Sequence, residues 1–357
     1  MNQKKTILHI TEVSSGGVLP IIVSLCNGLV DSYNVVFAYG VRPDTPSNLE
    51  EQFNPAVRLV KINSFTRSLS MKRDYMAGRK IKQIVKKLKP DIIHLHSTKA
   101  GLVGRINLLG YKCKKYYTPH GYCFLKQDDT RIKRSLYYVA EYILAKMGCI
   151  TLACGRSEYE EAIRIDKKAI RLDNGIDTER IDKITEANKS IEYKEYTVYT
   201  AGRIGKQKNP KMFNAIAEKL PQYTFVWIGD GKERKDLISP NIMVTGFINR
   251  DKVIELAMNY HCYMSCSLWE GLPIALQEAM YMGKPCIVSD TIGNTDLITD
   301  NISGCICNNV QMFVDAIRSI INDKKKSLLY GKNAKEWIEN NHTSRLMIQK
   351  YRGIIGA

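Results

Sequence analysis

Short apolar runs alternate with segments of helical period along nearly the whole 357-residue chain, and this alternation restricts the fold more than any other feature. In the first half, strand-like runs stand at 6–10, 34–39, 57–62, 91–96, 114–118 and 150–154, with helix-period segments at 18–29, 74–88, up to 109, and 131–146. The second half restarts the pattern, with strands at 197–201, 224–228, 242–244, 263–266, 286–288 and 304–306. Strands joined through helices lie parallel, with helices on both faces of the sheet. A chain this long exceeds one compact core. The expected fold is therefore α/β, two doubly wound parallel-sheet, Rossmann-like domains facing across a cleft. The polar stretch 178–195 marks the division: an N-terminal domain at 1–178, a linker at 179–195, a C-terminal domain at 196–340, and a tail at 341–357 that packs back on the first domain.

Composition narrows the function classes. Apolar content of 44% and charge of 25% describe a globular protein. The most apolar segment, 137–154, is broken by Glu141 and Lys146, and the N-terminus lacks a signal-peptide core, so a cytoplasmic protein is expected. Ten scattered cysteines without paired CxxC motifs read as reduced, buried thiols rather than a zinc site. Residues 1–180 hold 30 Lys and Arg against 17 Asp and Glu, whereas residues 181–357 hold 23 against 19. The first half should thus face something anionic: a membrane surface, a phosphorylated lipid or a nucleic acid. No recognisable nucleic-acid module is present.

The most informative single stretch is Trp269 to Gly283. A buried strand leads into Glu270-Gly271; Pro273 suits the first position of a helix; Gly283 can end it, and Pro285 prevents resumption. Glu278 then lies in an otherwise apolar helix and needs a polar partner. A ribose diol would serve, as would a local backbone group or a Lys. Glu270 sits above a helix N-terminus, where free amides favour anionic ligands, or is a solvated turn residue.

Other turns stand at strand ends, where sheets of this kind bind ligands. Gly16-Gly17 is a close backbone approach or a plain tight turn. His120, in Pro119-His120-Gly121, is structural or ligand-facing. Arg203 and Lys208 converge on one anion beside the helix opened by Asn209-Pro210, or belong to a solvated basic loop. Gly229-Asp230-Gly231 should lead into a helix, and Ser157 should cap a helix starting at Glu158. The basic face of 74–88 reads as a solvated surface.

Taken together, these motifs resemble glycosyltransferase family 4, the retaining nucleotide-sugar transferases of GT-B fold, of polysaccharide-biosynthesis type. The match rests on Glu270 and Glu278 within Glu-Gly-Leu-Pro…Glu-Ala-Met, on Gly202-Arg203…Gln207-Lys208-Asn209, and on Gly229-Asp230-Gly231, Pro119-His120-Gly121, Asn174-Gly175-Ile176-Asp177 and Gly16-Gly17 in order. The resemblance implies that Arg203 and Lys208 hold a donor diphosphate and that Glu278 holds the ribose. It implies that Glu270, with the amides of Gly271 and Leu272, touches the transferred sugar. It places His120 by the reacting sugar, Gly16 and Gly17 near the phosphates, and the Phe247 backbone beside the base. Asn294-Thr295-Asp296 stands where the family often has Pro-Glu. No Asp-x-Asp motif occurs, so no metal and no cofactor are expected, with a UDP-sugar as the favoured donor. The implied activity is transfer of a hexose, without a metal, to a lipid-diphosphate-linked or oligosaccharide acceptor during capsule or other cell-surface polysaccharide synthesis. The implied location is peripheral, on an anionic inner membrane face, without nucleic acid. A nucleotide-sugar epimerase of the same fold, or a non-catalytic basic binding protein, are the alternatives.

Overall fold

A computed structural model describes residues 4–42, 45–66, 68, 70–188 and 194–356. Residues 1–3 and the middle of the expected linker, 189–193, fall outside the described residues. The chain divides into two compact units, Met1–Asn174 with Ser344–Ala357, and Gly175–Thr343.

Unit 1 is built on seven strands: β1 (Thr6–Thr11), β2 (Asn34–Tyr39), β3 (Arg58–Lys61), β4 (Ile92–His96), β5 (Lys114–Thr118), β6 (Ile150–Ala153) and β7 (Ile170–Arg171). They pair in parallel in the order β3-β2-β1-β4-β5-β6-β7. The continuous apolar sequences of β1, β2 and β4 follow from burial on both faces. The basic helix Met71–Leu88 buries Ala77, Ile81 and Val85 and turns its Lys/Arg face outward. It begins three residues before the apolar pattern does, because Ser70 caps it by accepting from Arg73 N.

Unit 2 carries β8 (Lys194–Ala201), β9 (Thr224–Ile228), β10 (Ile242–Val244), β11 (Tyr260–Ser265), β12 (Cys286–Ser289) and β13 (Gly304–Cys307). The order is β10-β9-β8-β11-β12-β13, again all parallel. Its core packs Phe213, Phe225, Trp227, Ile287, Phe313 and Ile317.

Each sheet therefore reverses its winding once, between β1 and β4 in unit 1 and between β8 and β11 in unit 2. Ligands of open α/β sheets bind outside the carboxyl ends of the strands at such a point.

The structure departs from the sequence reading in several places. The polar stretch expected as linker contains the helix Thr178–Ala187, capped by Asp177 and burying a single stripe around Ile181. Its narrow apolar face hid it. The tail, which groups with unit 1, is a helix, Ser344–Gly356, where the sequence reading assigned no element. No long helix follows Gly231; a single 3-10 turn, Arg234–Asp236, stands there. Ser157 is not a cap, because the helix Arg156–Ile165 opens two residues earlier from Gly155. Glu158, in its first turn, accepts instead from the amides of Cys154 at 2.7 Å and Gly121 at 2.6 Å. Pro273 is the residue flanking the helix Ile274–Tyr281 rather than its first member, since its ψ of 118° is extended.

Candidate active site

In unit 2 the chain leaves β8 at Gly202 and forms one 3-10 turn, Lys206–Lys208. Asn209 then sits at a left-handed φ of 51° and caps the helix Pro210–Glu218, with Pro210 in its first turn. From β11 the loop through Trp269 reaches the helix Ile274–Tyr281. Leu268 N donates to Gln207 O at 2.8 Å, and Gln207 Nε2 donates to Trp269 O at 2.9 Å, so the two loops are laced together across the switch point. Glycine is required where such turns touch. A Cβ on Gly293 would stand 2.4 Å from Gly271 O, and one on Gly229 would stand 2.2 Å from Gly202 O.

This lacing brings two of the sequence-derived residues into direct contact. Lys208 Nζ donates to Glu270 Oε1 at 2.7 Å, and Gln207 Nε2 adds a contact to Oε2 at 3.3 Å. Both charged side chains are largely buried, with 17% and 9% exposure. Burial pulls the Lys208 ammonium down, but Glu270 more than offsets this, and its pKa stands above the ordinary lysine value. The group is a firmly protonated cation beside a carboxylate. Arg203 lies exposed at the end of β8, and Leu272 is buried beside Glu270.

Glu278 is buried, and its partner is one that sequence reasoning missed. Arg250 donates from Nε to Glu278 Oε1 at 2.8 Å, and a second guanidinium nitrogen, Nη2, reaches the same oxygen. Asn249 caps the helix Arg250–Met258 and so fixes Arg250 at its start, three residues beyond the exposed Phe247. The need of Glu278 for a partner was readable; which of many basic residues supplies it depends on packing.

In unit 1, Gly16 (φ 63°) and Gly17 are exposed at the end of β1, with Gly17 flanking the helix Val18–Asn27. His120 follows β5 and adopts a φ of 53°, with Gly121 at 97°. Two successive left-handed residues, one of them a histidine, are a sparsely populated conformation that the surroundings must hold. Glu158 does so through its bond from Gly121 N.

His120 is not alone. Its Nε2 lies 3.1 Å from His96 Nδ1, and His96 Nε2 lies 2.9 Å from His9 Nδ1. His94 lies against His96 with centroids 3.9 Å apart and planes tilted by 36°, and bonds Tyr351 OH at 2.8 Å and Thr118 Oγ1 at 2.9 Å. Alternation along β4 puts residues 94 and 96 on one face, and the register pairs His9 with His94. The signal was present as His-x-His beside a histidine in the first strand, but only the strand order makes it a cluster. Burial holds His9 and His120 near 3 and His94 and His96 well below the ordinary value, so all four imidazoles are neutral at physiological pH. The nitrogens of His9, His94 and His96 are close enough to surround one metal ion. However, both nitrogens of His94 and of His96 already take part in hydrogen bonds.

Two family models match the chain: "Glycosyltransferase Family 4" over residues 15–180 and "Glycosyl transferases group 1" over residues 182–337. The chain belongs to the family 4 glycosyltransferases. A relative from Escherichia coli, UDP-Gal:alpha-D-GlcNAc-diphosphoundecaprenol alpha-1,3-galactosyltransferase, is 28% identical over 337 residues, covering 86% of this chain and 85% of its own. An uncharacterised 41.2 kDa protein in the cps region of Klebsiella pneumoniae is 26% identical, covering 85% of this glycosyltransferase and 86% of its own length. Among solved structures, sucrose-phosphate synthase from Thermosynechococcus elongatus superposes with a TM-score of 0.84 at 17% identity, over 99% of this chain and 100% of that one. WaaG, a lipopolysaccharide glycosyltransferase, gives 0.72 at 13%, over 98% and 100%. These likenesses show the GT-B fold. Among the described residues, no helix of this glycosyltransferase is long and apolar enough to cross a membrane.

Proposed function

We propose that this glycosyltransferase moves a hexose, with retention and without a metal ion, from a UDP-sugar to a lipid-diphosphate-linked glycan during cell-surface polysaccharide synthesis. The observation that carries the reading is the Lys208–Glu270 ion pair at the β8/β11 switch point, beside Arg203 and the N-terminus of Pro210–Glu218. A diphosphate needs neutralising charge. Lys208, Arg203 and the positive end of that helix's dipole supply it where other transferases use a divalent cation. Glu270 keeps the ammonium charged until the phosphate arrives, and its carboxylate is then available to sugar hydroxyls. Glu278 takes the ribose. Both Arg250 contacts fall on Oε1, which leaves Oε2 to accept from a ribose hydroxyl while Arg250 sets the carboxylate's orientation. With no second carboxylate suited to a double displacement among the described residues, the acceptor attacks from the face that the phosphate leaves, and the phosphate takes the acceptor's proton.

The named activity of the E. coli relative supports both the UDP donor and the diphosphate-lipid acceptor. A second observation supports work at a membrane. The helix Arg131–Ala145 packs Leu144, Tyr137 and Tyr138 inward and buries Glu141 against Arg105 at 2.7 Å and Tyr117 at 2.9 Å, yet it also exposes Ile132, Leu136, Val139 and Ile143 along one stripe. Ile132 is 76% and Leu136 64% exposed, with Arg131 and Lys133 exposed at the same end. An apolar stripe rimmed with basic charge suits the interface of an anionic bilayer.

The test uses purified protein with a panel of UDP- and GDP-sugars and a polyprenyl-diphosphate-linked sugar. Transfer from a UDP-sugar in EDTA, with an NMR coupling showing the donor's anomeric configuration in the product, is the expected outcome. An inverted linkage overturns the mechanism, and activity that EDTA abolishes and a divalent cation restores overturns the metal-free donor site.

A further inference from the structure

We infer that His96, backed by His9, is a positioning residue that fixes His120 as the Nδ1–H tautomer, so that His120 donates a hydrogen bond to the transferred sugar rather than accepting its proton. The inference rests on the reading of His120 as a sugar-facing group.

The argument is a count of protons. Three neutral imidazoles, His9, His96 and His120, carry three ring protons among six nitrogens. Two protons are used in the two hydrogen bonds, His9 Nδ1 to His96 Nε2 and His96 Nδ1 to His120 Nε2. Because each ring has one proton, the bonds must run in the same direction along the chain. The third proton is then left at one end, on His9 Nε2 or on His120 Nδ1. Both atoms are buried and neither has a partner among the described residues. The ends are otherwise unlike. His9 has no exposure and lies on a central strand between its neighbours β2 and β4. A buried N–H without an acceptor is the costlier kind of orphan, whereas a lone pair there is tolerated more readily. His120 lies at a strand's carboxyl end and, although its Nδ1 is itself buried, is only half-buried as a residue, so a sugar bound there would supply the acceptor that His9 Nε2 can never meet. The proton therefore rests on His120 Nδ1, and its Nε2 accepts from His96.

The remaining contacts hold this direction. His94, bonded at both nitrogens, packs against His96 with its plane tilted by 36° and limits the movement of its ring. Burial keeps all the rings neutral, so no extra proton relaxes the count. The left-handed turn at His120, clamped by Glu158, keeps Nε2 within 3.1 Å of His96.

The experiment combines histidine-labelled nitrogen NMR of the whole protein with steady-state kinetics. Wild type should show His120 with a protonated Nδ1 and an unprotonated Nε2. His96→Leu removes the donor and should return His120 to a mixture of tautomers while lowering kcat about tenfold with little change in donor KM. His96→Asn keeps an N–H where Nδ1 stood and should restore kcat to within about threefold. Wild-type spectra with the proton on His120 Nε2 overturn the inference even where variants misfold, as does equal loss in the folded Leu and Asn variants. Stoichiometric zinc in the purified protein, displaced by a chelator with a change in the histidine shifts, also overturns it. His120→Ala separates the two readings. Wild-type kinetics in that variant remove the sugar-facing role itself, whereas an inactive His120→Ala with His96→Leu unaffected removes only the relay.

Discussion

The two units solve the same topological problem with opposite chemistry. At its switch point unit 1 places uncharged imidazoles that bond one another, while unit 2 places full ion pairs, Lys208–Glu270 and Arg250–Glu278. A neutral chain in a sheet core has no reason to rearrange, and it holds one geometry. An ion pair at a loop can exchange its carboxylate for a phosphate or its ammonium for a hydroxyl, and it is poised to be replaced. Unit 1 is arranged for position, unit 2 for exchange.

The contrast is tested most severely by removing charge from unit 2. Lys208→Ala and Arg203→Ala should each lower kcat/KM by about 2–4 kcal/mol, as for one lost electrostatic stabiliser. Near-wild-type kinetics in both would abolish the distinction. Separating the two carboxylates sharpens it. Glu270→Gln should lower kcat about a hundredfold with a smaller change in UDP affinity. Glu278→Gln should instead weaken UDP binding and leave kcat within about twofold. Titration calorimetry with UDP alone decides between them, and equal losses of affinity mean that the roles are misassigned.

Acid should act on unit 1. The folded pKa of His9, about 3, lies below its unfolded value of 6.5. The unfolded chain therefore binds the extra proton between those values, and stability is full above about pH 6.5 and declines as pH falls through the window. By pH 5 His9 alone should remove about 2 kcal/mol. Amide hydrogen exchange at pH 7 and 5 should show protection in β1 and β4 dropping before that in β8 and β11; loss from unit 2 first would count against the comparison. The smallest effect is expected at the surface. Leu136→Gln should weaken binding to anionic vesicles by about 1 kcal/mol, some fivefold, without altering transfer to a short soluble acceptor. Co-sedimentation unchanged by the substitution would detach the apolar stripe from the membrane.

Much of the fold was legible because buried parallel strands write themselves as apolar runs. Asn34–Tyr39, Thr224–Ile228 and Ile242–Val244 stand where the pattern put them. Weak amphipathic pieces were not. Ile170–Arg171 is too short to show a pattern, and Thr178–Ala187 buries only Ile181. At the site, the strand-end positions of His120, Arg203 and Glu270 could be read from Gly and Pro punctuation. The partners could not. Arg250 lies 28 residues from Glu278, and His9 lies 87 from His96. Such pairs follow from strand order and helix packing, which local sequence does not carry.

The helix Ser344–Gly356 has a consequence for how the protein is made. It belongs to unit 1, where Tyr351 is fully buried against His94, and Tyr116 OH reaches Ile354 O at 3.1 Å. All of unit 2 intervenes in the chain. On the ribosome an N-terminal domain ordinarily folds as it emerges. Here the first unit must wait, its histidine cluster lacking a wall, until the second has been translated. The first half of the chain thus depends on residues translated after the whole of unit 2. A chain truncated after residue 343 should hold a folded unit 2 beside an unfinished unit 1, a natural client for chaperones.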